Sequence, residues 1–166
     1  MAYFRTDGFI GGQAIADTAT TIGPHALGSI VRAQDPTYGG GEFIYLLGVA
    51  STIVGSVVTY HPSTYQTALA PVGANKPQPI AVAMSANVAA SYGWYQISGL
   101  AIMAKSSATS LAAGAVVGVK TAGFIASTGS GKEVGNALVA AVASAASGRI
   151  TVTVSISRPL MQGRVT

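Results

Sequence analysis

Gly129, Ser130, Gly131 and Lys132 come nearest in type and order to a known chemistry. Glycine backbone N–H groups can cradle phosphates, and a lysine closing such a loop reaches them. The full pattern places a glycine five positions before Gly131, but that position is Ala126. It also needs Ser or Thr after the lysine to reach magnesium, and Glu133 stands there. A carboxylate at that point would repel phosphate. The stretch reads as a glycine-rich hairpin loop with a solvated lysine.

The two histidines offer little more. His25 follows Pro24 and His61 precedes Pro62, so both belong to turns. Neither has a nearby carboxylate to orient it as a base. The acids are Asp7, Asp17, Asp35, Glu42 and Glu133, too sparse for paired-carboxylate chemistry. No serine sits in a G-x-S-x-G elbow, and there is no cysteine. That removes disulfides, thiolate zinc sites and thiol catalysis together. No enzyme, cofactor or metal is expected. Trp94 and Tyr95 could stack on a ligand or base, but large aromatics in an apolar stretch point first to core or subunit-interface packing, with Tyr92 beside them.

These aromatics lie in residues 91–104, SYGWYQISGLAIMA, around which the chain is organised. Aromatic and β-branched residues favour a strand, and Gly93 and Gly99 weaken a helix. At period two, Tyr95, Ile97, Ala101 and Met103 share one face, and Trp94, Gln96, Ser98, Leu100 and Ile102 the other. A bulge at Gly99 would exchange them. Both faces are apolar enough to be covered, which predicts a central strand.

The elements around it read as short strands between Gly, Pro and Ser turns. Strands are expected at 42–49, 53–60, 65–69 and 80–84, with one helical turn at 85–90 capped by Ser85. Residues 105–113 read as a loop, and 116–120 with 123–126 as a hairpin around Thr121-Ala122. Residues 137–144 suit either state and are read as strand. Residues 149–158, RITVTVSISR, have the cleanest alternation: Ile150, Val152, Val154 and Ile156 inward, Thr151, Thr153, Ser155 and Ser157 outward. Pro159 is expected to end that strand. The fold class is all-β, a small β-barrel or β-sandwich.

Residues 1–41 hold no period. Pieces such as DGFIGGQ and QDPTYGGG predict an extended N-terminal arm, with the β domain spanning 42–166 and folding without it. The arm's anchors would be Tyr3, Phe4, Phe9, Ile10, Ile15, Ile22, Leu27, Ile30 and Val31. They would lie across a partner, or the arm would wrap its own domain as edge strands.

Composition bears on partners. Of 166 residues, 8% are charged and 49% hydrophobic, against roughly 25% charged in an ordinary soluble domain. A surface of Ala, Gly, Ser and Thr is poorly protected against association, so a homo-oligomer is expected. The net charge of +4 is scattered with no basic run, so direct nucleic-acid binding is not expected. An acidic partner surface suits it better. The N-terminus lacks the apolar core of a signal peptide. The longest apolar run, 43–58, is interrupted and shorter than the roughly 20 residues of a membrane helix. The expectation is a soluble protein without a membrane partner.

Residues 38–60 (YGGGEFIYLLGVASTIVGSVVTY), 80–100 (IAVAMSANVAASYGWYQISGL) and 114–159, ending GRITVTVSISRP, together resemble the small decoration, or cement, proteins of tailed bacteriophages. GEFIYLLGVAS and AVAMSANVAASYGWYQISG carry most of the likeness. LAAGAVVGVKTAGFIAS is similar to the wider family of head-stabilising proteins with a small β-barrel. The resemblance covers most of 38–159 and carries no catalytic motif. It implies a structural virion protein on the outer surface of the head, assembled in the host cytoplasm. Such proteins are commonly trimers, bridging capsomers and holding the shell against internal DNA pressure. The major capsid protein would be its partner. Tyr3, Phe4, Arg5, Phe9, Ile10, Ile15, Ile22 and Leu27 would touch the capsid or a subunit; Tyr92, Trp94 and Tyr95 would form the core or trimer interface. Two other classes remain. One is another virion module, such as a shell subunit or a tail or fibre part. The other is a carbohydrate-binding β-sandwich, which the scarcity of acids argues against.

Overall fold

The computed structural model describes residues 4–5, 12–23, 25–73, 76–106, 110–128, 132–143 and 150–162. Twelve strands and no helix occur among them. In chain order they are β1 Phe4–Arg5, β2 Thr18–Ala19, β3 Ile30–Asp35, β4 Gly39–Leu47, β5 Val57–Tyr60, β6 Thr67–Leu69, β7 Ile80–Ala83, β8 Tyr92–Lys105, β9 Val116–Thr121, β10 Phe124–Ser127, β11 Glu133–Val139 and β12 Ile150–Met161.

β8 is the hub. It pairs with β2, β4 and β7 through its first half, and with β12 and β10 through its second. From β8 the sheet runs through β10, β9, β11 and β12 and returns to β8, closing a five-stranded barrel. Closure removes the free edges that an apolar, weakly charged sheet would otherwise expose. The interior follows from alternation: Val152, Val154 and Ile156 of β12 meet Ala101 and Met103 of β8, Val117 and Val119 of β9, and Val134 and Val139 of β11. Thr151, Ser155 and Ser157 face outward. β5 and β7 add Val57, Ile80 and Val82 to this cluster.

A second lobe is built on the β4–β8 ladder, where Ile44 faces Tyr95 and Tyr45 faces Trp94. Neighbouring residues point to opposite faces, so the ladder carries two further cores. Phe43, Tyr45 and Trp94 pack with Ile15, Val31 and Ala33 on one side. Ile44, Leu46 and Tyr95 pack with Val58, Ala81 and Ala83 on the other.

The expected boundary after residue 41 falls inside β4. β3 and β4 form one hairpin, with Ile30 opposite Ile44 and Asp35 opposite Gly39. The turn is made by Asp35, whose Oδ1 accepts the Thr37 and Tyr38 backbone N–H groups at 2.8 and 3.0 Å. Gln13 fastens the chain further upstream. The Tyr45 hydroxyl donates to its Oε1 at 2.7 Å, and Trp94 Nε1 donates to its carbonyl at 3.1 Å. Residues 12–41 therefore complete the core of their own lobe instead of forming a separate arm. The aromatic face of β4 and β8 needs a cover, and this segment supplies it.

Four smaller differences have local causes. The face expected to run from Tyr95 to Met103 is divided: Tyr95 and Ile97 enter the lobe and Ala101 and Met103 the barrel. No helical turn forms at 85–90; the single Ser85 hydroxyl proton instead lies between two acceptors, the Asp17 carbonyl and Asn87 Oδ1, each 3.0 Å from Oγ. The strand expected at 137–144 begins earlier, at Glu133, and ends at Val139. β12 continues past Pro159 to Met161 because Arg158, with φ 46°, bends the chain back onto β11.

Candidate functional site

The sequence-derived candidates separate cleanly. Trp94 and Tyr95 are fully buried within the single chain, so they serve its own core. Tyr92 is half-buried and stacks on Tyr45 at 6.5 Å between ring centroids. Ile15 is buried and Leu27 half-buried against the same cluster, so both pack within their own chain. Ile22 is exposed. Phe4 and Arg5 form β1 opposite Gln34 and Ala33. Tyr3, Phe9 and Ile10 lie outside the described residues, as do Gly129, Ser130 and Gly131. His25 is buried edge-on to Trp94, 4.9 Å between centroids. His61 is exposed, and its Nδ1 accepts the Ser63 backbone N–H at 3.3 Å. No cluster of three or more His, Cys, Asp or Glu able to hold a metal occurs among the described residues.

A site does assemble where no motif marked one. Arg32, Glu42, Ser98 and Ser157 lie side by side across four adjacent strands, β3, β4, β8 and β12. Glu42 stands between two arginines. Its Oε1 accepts from Arg32 Nη2 at 3.3 Å, and its Oε2 from Arg158 Nη2 at 3.2 Å. These side chains, with Gln34 and the bare backbone of Gly40 and Gly41, line a cleft of about 310 Å³.

Two irregularities shape it. On β8, Glu42 pairs with Ser98 but Phe43 pairs with Gln96, so Ile97 is an extra residue. Gly99 follows with φ 100°, and a Cβ there would collide with the Gly40 carbonyl oxygen. On β12, residues 157–159 face Asn136 alone, between the Ala137–Ile156 and Gly135–Leu160 pairs. Arg158 is thereby held at φ 46°, although a residue before proline ordinarily stays extended. Such strain costs about 1–3 kcal/mol. The Arg158 side chain is 66% exposed, and an exposed ion pair returns only about 0–1 kcal/mol. The ion pair alone does not offset the backbone that presents it.

The sequence matches no family model, and no curated protein is significantly similar to it.

Part of the cleft was legible beforehand. Arg32 and Glu42 are placed symmetrically about Thr37, so reading the Pro36-Thr37-Tyr38 turn as a hairpin would have paired them. Arg158 had no such signal. It reaches Glu42 from 116 positions away through the β8–β12 ladder. A second cleft, about 450 Å³, lies by the β5–β6 hairpin, lined by Tyr60, His61, Gln66 and Gln78 among others, with no acid among the described residues of its lining.

Tyr95 carries a pH-dependent consequence. Burial pushes its hydroxyl up to about 12, against the lowering effect of Thr67 and Asn87. The hydroxyl meets neither at regular hydrogen-bond geometry, so desolvation prevails. Its folded pKa lies above the unfolded value of about 10. Its contribution is thus fully present below pH 10 and lost as pH rises toward 12. That is on the order of 2–3 kcal/mol of stability. Melting curves between pH 9 and 12 should fall steeply for the natural protein and less steeply for Tyr95→Phe. Equal slopes would show that another group carries the transition.

Proposed function

We propose that this chain is a non-catalytic structural part of a virion, a decoration protein on the outside of a tailed-phage head. The observation that carries the reading is its surface. With 8% of residues charged, the barrel exterior exposes aliphatic side chains where ordinary domains place Lys and Glu. Val116 and Leu138 are directly paired across β9 and β11 and both exposed. The adjoining Ala112, Ala113, Ala140 and Ala141 are exposed too, and Val142 is 72% exposed. Isolated exposed aliphatics are ordinary, but contiguous ones mark contact surfaces. A lattice multiplies weak contacts through effective concentration, so no single one has to be strong. The resemblance across residues 38–159 supports the same reading and adds the major capsid protein as partner and a trimer as the working unit.

Heads assembled without this chain are the test. Added full-length protein should occupy regular sites on them in electron micrographs and raise the temperature at which they release DNA. Sedimentation should show an oligomer at micromolar concentration. Heads that stay bare at saturating protein would end this reading.

A further inference from the structure

We propose that the cleft beside the β5–β6 hairpin is a binding site for a neutral sugar, taken as a single hexose ring. Tyr60 supplies the aromatic surface, and His61, Gln66 and Gln78 supply the donors and acceptors for its hydroxyls.

Three observations carry this. The first is fixed polarity. His61 Nδ1 faces the backbone N–H groups of Ser63 and Thr64, at 3.3 and 3.4 Å. Both can only donate, so Nδ1 accepts and the ring's proton sits on Nε2. His61 thus presents a donor. Gln66 is set the other way. Its Nε2 donates to the Gly48 and Thr67 carbonyls at 2.9 and 3.1 Å, which leaves Oε1 as its acceptor end. Gln78 is exposed, and its amide carries both kinds of group. A sugar hydroxyl donates and accepts, so it answers either. The second is surface. The Tyr60 ring is half-buried, packed against the core of Ile44, Leu46 and Tyr95, and it lines the cleft. The C–H face of a hexose covers such a ring while its hydroxyls stay within reach of polar groups. The third is a preformed frame. Tyr60 N–H donates to the Pro79 carbonyl at 3.3 Å, and Met161 N–H to the Gln78 carbonyl at 2.9 Å. His61 N–H closes its turn on the Gln66 carbonyl at 3.1 Å. Pro62, Pro77 and Pro79 stiffen the rim. A site that is rigid before its ligand arrives loses little in ordering on binding. Its volume of about 450 Å³ falls within the roughly 300–1,000 Å³ of small-molecule sites.

The lining selects the ligand. It holds no Asp, Glu, Lys or Arg among its described residues. Burial raises the pKa of the Tyr60 hydroxyl, against the lowering effect of Arg158, so the phenol stays neutral as well. A phosphate or a sugar acid would find no cation in this lining to replace its water. A peptide added as a strand would need the outer edge of β6. There Leu47 N–H already donates to the Tyr65 carbonyl at 3.1 Å, and Thr67 Oγ1 to the Leu47 carbonyl at 2.8 Å. The scarcity of acids argues against sites that grip sugars through carboxylates; here an imidazole and two amides take that part.

The experiment is saturation-transfer NMR on the full-length protein with methyl α-glucoside, methyl α-galactoside and methyl α-mannoside, followed by titration. Glucuronate and blocked tetraproline are the comparisons. Each is offered at about 10 mM, above the roughly 1 mM Kd expected of one stacked ring and a few hydrogen bonds. At least one glycoside should bind, with an affinity that salt does not change, and both comparisons should bind more weakly. Tyr60→Leu should lower the affinity about tenfold, and Tyr60→Phe by less than about threefold, because the ring carries the contact. Gln78→Ala, at an exposed position, should lower it about threefold. No transfer to any of the three glycosides, or unchanged affinity in Tyr60→Leu, would overturn the proposal. Tighter binding of glucuronate or tetraproline than of every glycoside would refute the choice of ligand. Should Tyr60→Leu fail to fold, Gln78→Ala decides, and unchanged affinity there sinks the site. Sugar binding would stand even if virion heads ignored the protein, so the two readings fail separately.

Discussion

Deleting residues 1–37 is expected to abolish the cooperative fold of the chain. The deletion removes β3 and takes Ile15, Val31 and Ala33 from the core that covers Phe43, Tyr45 and Trp94. Burying a side chain of the size of Ile or Val contributes about 1.5–3 kcal/mol. The loss of Ile15 and Val31 together is thus comparable with much of the 5–15 kcal/mol that holds a typical domain. The deletion also takes Gln13, leaving the Tyr45 hydroxyl and Trp94 Nε1 without these partners. It exposes the edge of β4 that pairs with β3. Circular dichroism should show loss of the sharp thermal transition, and the protein should aggregate on concentration. A truncated chain that melts within a few degrees of the full-length protein would show that the β domain stands without this cover. That independence is what the aperiodic sequence of 1–41 had suggested.

Trp94→Ala should be the most damaging single substitution in the second lobe. The indole is fully buried, packed 5.0 Å from Tyr45 and 4.9 Å from His25 between ring centroids. Truncating a large buried aromatic costs about 3–5 kcal/mol in lost transfer energy and residual cavity. Trp94→Phe restores part of the ring volume but not the N–H donated to the Gln13 carbonyl, so an intermediate loss is expected. Urea denaturation followed by circular dichroism measures both. A loss under about 1 kcal/mol in Trp94→Ala would mean that the lobe is loosely packed and that this cluster does not hold residues 12–41 in place.

The sequence by itself determined the class of fold and its central element. Glycines, prolines and serines punctuate runs of Val, Ile and Tyr too short for helices, and no helix occurs among the described residues. Residues 91–104 were legible as the covered strand because both faces are apolar, and β8 is that strand. The alternation in β12 and the turn between β9 and β10 were legible because period and turn chemistry are local properties. Tertiary structure decided the rest. The pattern marks Ile15 and Val31 as residues that avoid water, but avoidance of water names no partner. Their own lobe, a neighbouring subunit or a shell would satisfy it equally, and the open aromatic face of β4 and β8 made the choice. The cleft is the stronger case. Arg32, Glu42 and Arg158 are ordinary surface charges in sequence. They meet because two bulges, with one extra residue on β8 and two on β12, turn strands from distant parts of the chain toward one point. Charge–charge contact depends on distance in space, and a strand register set by packing fixes that distance only once the sheet has closed.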